Sequence, residues 1–326
     1  MTDIVAIGEL LVDFTAEDKS GRLFSANPGG APANFAAAAA AAGADVALIS
    51  KVGDDDFGRM LIKTLEDAGV DASGVIRDPD VFTTLAFVSL DETGDRSFSF
   101  ARKPGADTRL CETEVAAALP ACFRALHFGS LSFTDEPARS AVKAAVEKAK
   151  ATGVLISYDP NYRPPLWKDE AAAVEAMRWG LRRADVVKLS GEEAALIAGT
   201  EDPAAAAERL RTEFGCRLVF VTLGARGCYY DNGEYSGYVS APEGVQTIDT
   251  TGAGDIFGGT ALAKLLSLDT PPEALQGRQL RALCAYACAA AGLSTGARGG
   301  IASVPAQTQV KNIFLQTYGN GADSVL

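Results

Sequence analysis

The chain has 326 residues, 48% of them hydrophobic, enough for one large or two modest domains with a full core. Its formal net charge of −12 argues against nucleic acid or an anionic membrane as partner, because no broad face would neutralise phosphates. A small anionic ligand in a local basic pocket stays open.

The six cysteines (Cys111, Cys122, Cys216, Cys228, Cys284 and Cys288) form no CxxC motif and read as small buried hydrophobes in a reducing cytoplasm. Cys284 and Cys288 lie four apart, but no further ligands nearby would make them a metal pair. No signal peptide or membrane-spanning stretch is read, so a soluble, cytoplasmic protein is expected.

In chain order, residues 4–7 read as a buried strand ending at Gly8. Residues 32–42 read as a helix stopped by Gly43, and 46–49 as a second strand. Residues 54–68 place Phe57, Met60, Leu61 and Leu65 on one helical face. The rhythm then changes: 83–90 and 96–101 flank Asp91-Glu92-Thr93-Gly94-Asp95 as a hairpin. A βα alternation resumes with strands at 126–128, 154–157, 186–189 and 218–222. Helices at 137–152, 168–182, 191–198 and 203–214 lie between them. A hairpin over 227–239 follows, then a short strand at 245–248. Helices from about 253 to 266 and 279 to 295 come next, and the end from 319 reads as frayed.

The order implies an α/β fold: one open, mostly parallel sheet with helices on both faces. No internal boundary is read, so residues 1–326 form one domain. A small β element over about 14–28, with the 83–101 hairpin, reads as a lid that excludes water.

The chemistry concentrates at turns. In Asp249-Thr250-Thr251-Gly252-Ala253-Gly254-Asp255, two glycines let backbone approach a ligand, and the helix start offers N–H groups to an anion. Asp255 in that first turn reads either as a general base or as a helix-capping carboxylate. As a base at a helix N-terminus it would have a lowered pKa and be ionised at neutral pH. Asn27-Pro28-Gly29-Gly30-Ala31-Pro32-Ala33-Asn34 reads as a hydroxyl-binding loop or a plain helix cap. Asp13, past the first strand, reads as a hydroxyl ligand or a surface residue. Arg163, in the Asp159-Pro160-Asn161-Tyr162-Arg163 loop, suits phosphate. Ser190 and Glu193 fit both a capping box and a carboxylate that holds Mg²⁺ through water. His127, in a buried strand, reads as a packed core residue. No GxxxxGK[ST] motif occurs, and no GxGxxG follows the first strand.

Taken together and in this order, these motifs resemble the ribokinase-like (PfkB) carbohydrate kinases, within them the fructokinases. The match runs through Asp249–Phe257, Gly29, Gly30 and Asn34, Gly53–Gly58, Gly94–Phe98, Asp159–Trp167 and residues 289–303, nearly the whole chain. The resemblance implies a three-layer αβα sandwich with a β-sheet lid, use of ATP and Mg²⁺, K⁺ activation, and a homodimer through the lid. It implies that Asp255 is the catalytic base and that Gly252, Ala253 and Gly254 form the anion hole. Asp13, Gly29, Gly30, Asn34 and Arg102 would hold the sugar. Lys188, Thr222, Gly224, Gly227, Asn161 and Arg163 would lie along the nucleotide and its phosphates. Glu193 would serve Mg²⁺, with Asp249, Thr251 and Ser303 around K⁺. Ser190 departs from the Asn that ribokinases carry there. The expected reaction is phosphorylation of fructose to fructose 6-phosphate. Alternatives are 2-keto-3-deoxygluconate, ribose or a nucleoside as acceptor, or a non-catalytic sugar-binding protein.

Overall fold

Alternation along the strands decides how the core divides. In strand β1 (Thr2–Ile7), Ile4 and Ala6 join one hydrophobic cluster, while Val5 and Ile7 join a second. Successive side chains of a strand point to opposite faces. A strand covered on both faces is therefore apolar along its length. Leu218 and Phe220 divide from Val219 and Val221 in the same way. The computed structural model describes residues 1–18, 22–90 and 96–319.

After β1 come β2 (Leu11–Ala16), β3 (Phe24–Gly29), α1 (Ala31–Ala41), β4 (Val46–Gly53), α2 (Asp56–Asp67), β5 (Val75–Asp78), β6 (Leu85–Leu90) and β7 (Arg96–Ala101). The chain continues through α3 (Glu112–Ala118), β8 (Phe123–Gly129), α4 (Ala138–Ala151), β9 (Leu155–Asp159), α5 (Glu170–Leu181), β10 (Val186–Ser190), α6 (Gly191–Ala198) and α7 (Pro203–Phe214). It ends with β11 (Leu218–Thr222), β12 (Cys228–Asp231), β13 (Ser236–Val239), α8 (Ala253–Ser267), α9 (Gly277–Ser294) and α10 (Gln307–Tyr318).

The large sheet runs β13-β12-β11-β10-β9-β8-β1-β4-β5. Its pairs are parallel from β11 to β5, with β12 and β13 antiparallel at one edge. Helices α1, α2, α8, α9 and α10 bury their apolar sides in one cluster, and α3 to α7 in the other. This is the expected αβα sandwich. The strand order reverses between β1 and β8, and a crevice opens there at the carboxyl ends of the strands.

A second sheet, β3-β2-β6-β7, stands apart. Only Gly8, Glu9 and Leu10 separate β1 in the large sheet from β2 in the small one. Leu11, Asp13 and Thr15 on β2 face the crevice together with Val88 and Phe100. Phe14 lies on the other face, stacked on Phe87 at 5.2 Å and edge-on to Phe57 of α2 at 5.6 Å.

Small residues let α1 and α8 pack closely. Residues 36–39 of α1 are alanine and fully buried. A Cβ on Gly259 of α8 would meet the Phe35 carbonyl oxygen at 2.2 Å. Side chains of ordinary size would hold the axes 8–10 Å apart; here the backbones nearly touch.

Two expectations need correction. Residues 245–248 form no strand. Val245 and Ile248 lack a neighbouring strand, Ile248 is 58% exposed, and the segment is held by the Ile248 and Asp249 N–H groups donating to the Thr295 carbonyl. Among the cysteines, Cys216, Cys228, Cys284 and Cys288 are buried, but Cys122 is exposed and Cys111 half-buried. The structure adds β5, α3 and α10. Their apolar signals are thin: α3 buries only Val115, and α10 only Val310 and Phe314. The 91–95 hairpin turn, with Gly94 and Asp95 of its motif, and the tail from 320 lie outside the described residues.

Candidate active site

The close seam between α1 and α8 brings two polar side chains together at the carboxyl ends of the strands. Asn34, in the first turn of α1, donates from Nδ2 to Asp255 Oδ2 at 2.9 Å. Both are buried, Asn34 at 3% exposure and Asp255 at 8%. Gly300 closes over Asn34 from the far side, where a Cβ would meet its Oδ1 at 2.1 Å. Asn34 is therefore confined by Gly300 and bonded through Nδ2 alone, its Oδ1 being buried without a hydrogen-bond partner.

Burial raises the Asp255 pKa; Lys188, the Asn34 hydrogen bond and Arg163 oppose this without cancelling it. The sequence expectation of a lowered value weighed the helix N-terminus alone. Desolvation outweighs that dipole because the carboxyl is nearly sealed from water. A base with a raised pKa accepts a proton more readily near neutrality.

The turn before α8 is built for an anion. Gly252 caps the helix with φ of 75°, the left-handed region that glycine enters without strain. The first-turn amides beyond it lack intrahelical acceptors. Lys188 stands over this turn: a Cβ on Gly254 would lie 2.9 Å from Nζ. Lys188 comes from β10 and pairs with Asp159 from the end of β9 at 2.6 Å. Burial works against its charge, but Asp159, Glu193 and Asp255 raise its pKa on balance. A fixed cation thus stands beside the amides of this turn, of which that of Ala253 also donates to the Thr250 carbonyl at 3.3 Å.

The opposite wall comes from the small sheet. Asp13 lines the cleft, and burial pushes its carboxyl up to about 7 against the pull of Arg163. A Cβ on Gly29 would sit 2.3 Å from Asp13 Oδ2, so Gly29 shapes the site behind that carboxylate without lining the cleft itself. Gly30, Asn161, Arg163, Thr251, Gly252 and Gly254 do line it. The cavity measures about 220 Å³, below the roughly 300–1,000 Å³ of drug-sized pockets, a scale that suits one small polar molecule.

Other expected residues lie elsewhere. Arg102 is not in the cleft wall. Its guanidinium is buried, donates to Asp107 at 2.8 Å, and reaches Thr134 and the Leu131 carbonyl. Ala253 sits in the anion turn without lining the cavity. Thr222 ends β11 and Gly224 and Gly227 follow it, all outside the cavity. Thr222 donates to the Leu189 carbonyl, and a Cβ on Gly227 would meet the Val239 oxygen at 2.0 Å. Ser303 is buried and donates to the Gly300 carbonyl. Asp249 shapes the turn: Oδ1 accepts from the Thr251 amide and hydroxyl, and Oδ2 from the Gly299 amide.

Glu193 and Ser190 form the reciprocal capping box. Glu193 Oε1 also accepts from the Tyr162 amide at 2.6 Å, tying the Asn161–Arg163 loop to α6. Among the described residues, no group of three or more His, Cys, Asp or Glu side chains could hold a metal. His127 packs as expected: it stacks on Phe35 at 3.5 Å, and burial lowers its pKa to about 3. Sequence reasoning passed over Glu9, which lines the cleft at 2% exposure. Its only sequence signal was a polar residue at the end of a buried strand.

Comparison with known proteins follows this geometry. Residues 1–307 match the model of the pfkB family carbohydrate kinases. Fructokinase-2 of Zea mays is 38% identical over 319 residues, covering 95% of this chain and 93% of that protein. A double mutant of the fructokinase of Vibrio cholerae O395, solved with fructose, ADP and potassium ion, superimposes with a TM-score of 0.86. It is 32% identical over 96% of this chain and 98% of its own. The fructokinase of Xylella fastidiosa, solved with bound ATP, gives 0.84 at 30% identity, covering 98% of this chain and 100% of its own. Among the described residues, no helix is long and apolar enough to cross a membrane.

Proposed function

Because the chain belongs to the pfkB family of carbohydrate kinases, we propose that it is an ATP-dependent fructokinase, converting D-fructose and ATP to fructose 6-phosphate and ADP. The observation that carries this is the Asn34-anchored Asp255 at the α8 N-terminus, beneath the charged Lys188 and opposite Asp13. The substrate assignment is supported by fructose in the Vibrio enzyme and by the maize relative.

In this reading the sugar sits between Asp13, Gly30 and Asn34, with Gly29 behind Asp13. Its primary hydroxyl points at Asp255. That hydroxyl attacks the γ-phosphorus in line, and Asp255 takes its proton as the bond forms. The amides of Gly252, Ala253 and Gly254, with Lys188, hold the charge that collects on the transferred group. Arg163 and Asn161 stand toward the phosphates, and Thr222, Gly224 and Gly227 flank the nucleotide. Most of the rate comes from positioning.

Mg²⁺ would neutralise phosphate charge when bound. Both Glu193 oxygens accept from backbone amides but keep lone pairs, which fits a water-mediated contact and not direct ligation. A K⁺ beside the turn would draw on Asp249, Thr251 and Ser303; the Vibrio structure with potassium supports this. The small sheet acts as a lid over the sugar, and two copies would pair through it. Six cysteines without a disulfide suit a cytoplasmic setting.

The test is Asp255→Asn. kcat should fall by roughly 10²–10⁴, the usual scale for a general base, with ATP binding retained. Near-normal turnover would sink the assignment. Coupled ADP release over fructose, ribose, 2-keto-3-deoxygluconate and a nucleoside, with and without K⁺, fixes the acceptor.

A further inference from the structure

The cation at the anion turn stands on a flexible stem, and a residue outside the cleft aims it. Lys188 lines the cavity, and a Cβ on Gly254 would lie 2.9 Å from its Nζ. A lysine is a four-carbon stem ending in three donors, with no preferred direction of its own. Among the described residues its one ion pair is with Asp159, Nζ donating to Oδ2 at 2.6 Å. Asp255 is near enough to raise the Lys188 pKa, yet among the described residues it forms no ion pair with the ammonium. The cation is held on the side of the turn and off the base.

The sheet places Asp159 for this. It ends β9, and the parallel pairing of Val187 with Tyr158 sets Lys188 beside it. Asp159 is buried at 4% exposure and does not itself line the cleft. Its other oxygen, Oδ1, accepts from the Asn161 amide at 3.2 Å. Asn161 does line the cleft, with a φ of 49° in the left-handed region. The residues on either side of it are tied as well: the Ser130 amide donates to the Pro160 carbonyl, and the Tyr162 amide to Glu193. Burial pushes the Asp159 carboxyl up and Lys188 pulls it back; the amine keeps the proton, its own pKa being raised. A charge this buried costs several kcal/mol to desolvate unless it is paired. A neutral amide would tie the Asn161 loop equally well, so only the lysine calls for a carboxylate here.

We propose that Asp159 is a positioning residue for phosphoryl transfer: it aims Lys188 at the transferred group and keeps the ammonium from closing on Asp255. This rests on the fructokinase reading and deepens it. One donor of the ammonium is spent on Asp159, which leaves two for an anion at the turn. Without Asp159, the carboxylates left to draw the ammonium are Glu193 and Asp255. A pair with Asp255 would take the cation from the phosphate and occupy the base in one movement.

The experiment is a double-mutant cycle over wild type, Asp159→Asn, Lys188→Met and the double variant, with kcat and fructose KM read from ADP release. Asp159→Asn keeps an oxygen for the Asn161 amide but turns an NH₂ group toward the ammonium. Its kcat should fall roughly 10- to 100-fold, the cost of a misplaced group at the reacting centre, with fructose KM within about threefold of wild type. In the Lys188→Met background the same substitution should change kcat by less than about threefold, because the group that Asp159 aims is gone. A merely structural Asp159 would lower kcat by the same factor in both backgrounds, and that result overturns the proposal, as does a wild-type kcat in Asp159→Asn. If Asp159→Asn does not fold, the crystal structure of wild type with fructose and a non-hydrolysable ATP analogue decides. Lys188 Nζ within about 3.2 Å of both Asp159 Oδ2 and the terminal phosphate supports the proposal; any other placement of Nζ refutes it. Failure of the wild type to phosphorylate fructose refutes the fructokinase reading instead, and the cycle is then run on the accepted sugar.

Discussion

Gly259→Ala adds one methyl group outside the cleft and should slow the reaction inside it. The new Cβ would lie 2.2 Å from the Phe35 carbonyl oxygen, 3.0 Å from its carbon and 3.1 Å from the Ala39 nitrogen. Ordinary C···O approach is about 3.3–3.6 Å, so α8 must retreat from α1 by about 1 Å. The neighbours are backbone atoms, which no rotamer change can move. The Asn34–Asp255 hydrogen bond, 2.9 Å long, then stretches past the useful limit. A misplacement of about 1 Å costs up to about 10²-fold in rate, so kcat should fall by roughly 10- to 100-fold. Overpacking a core seam costs about 1–3 kcal/mol, a Tm loss of roughly 2–6 °C for a chain of this size. Steady-state ADP release and a thermal melt measure both. Gly258→Ala is the control: its Cβ would meet the Phe35 ring at 3.3 Å and the Lys188 stem at an ordinary 4.0 Å, with no backbone atom in the way, and its kcat should stay within about threefold. A Gly259→Ala protein with wild-type kcat would refute the coupling of seam to base.

Three further outcomes are expected. Lys188→Met removes the cation over the anion turn and should lower kcat by about 10²–10³-fold, the scale of losing one oxyanion donor; a kcat within threefold of wild type would show that Lys188 does not face the transferred group. Arg102→Met breaks a pair buried on both sides and should cost about 3–5 kcal/mol in denaturant unfolding while leaving fructose KM nearly unchanged; a large KM increase in the folded variant would return Arg102 to the sugar site. Without ligand, stability should fall as pH rises from about 4 to 8. Glu9 and Asp13 reach about 7 when folded, so in that window the folded chain holds two protons that the unfolded chain releases, and the one that buried His127 refuses below 6.5 offsets only part of this. The stability is whole below the unfolded values and lost through the folded ones, up to about 3 kcal/mol for Glu9. Equal denaturant midpoints at pH 5 and pH 8 would contradict this.

What the sequence revealed and what it hid follow from the range of the interactions. The Gly252–Asp255 turn and the Gly30–Asn34 loop were legible because their chemistry is local: small residues, a helix start and one polar side chain within a few positions. Glu193 in its capping box was equally local. Asp159 and Lys188 are 29 residues apart, and only the parallel pairing of β9 with β10 makes them partners. Arg102 misled because a lid arginine beside a sugar site looks exposed; its match to Asp107 depends on how the chain turns after β7. Glu9 gave little signal beyond a polar residue after a buried strand, because its burial is created by α1 closing over it. The Asp255 pKa was misjudged for the same reason: the dipole can be read from the chain, but the desolvation comes from the seam.

The two jaws of the cleft belong to different bodies. Asp13 rides on the small sheet and Asp255 on α8, which packs against the large one, and the shortest covalent path between the sheets is Gly8-Glu9-Leu10. Gly8 has a φ of 151°, and a Cβ there would strike Pro32 at 2.7 Å, so this joint is stiff and crowded. The molecule is in effect a caliper with a tight pivot. On the proposed function, a sugar of the right span would seat against both jaws, and a shorter one would leave its reacting hydroxyl out of reach of Asp255. Retuning the protein to another sugar length would therefore call for work at the pivot, not only on the residues that touch the ligand.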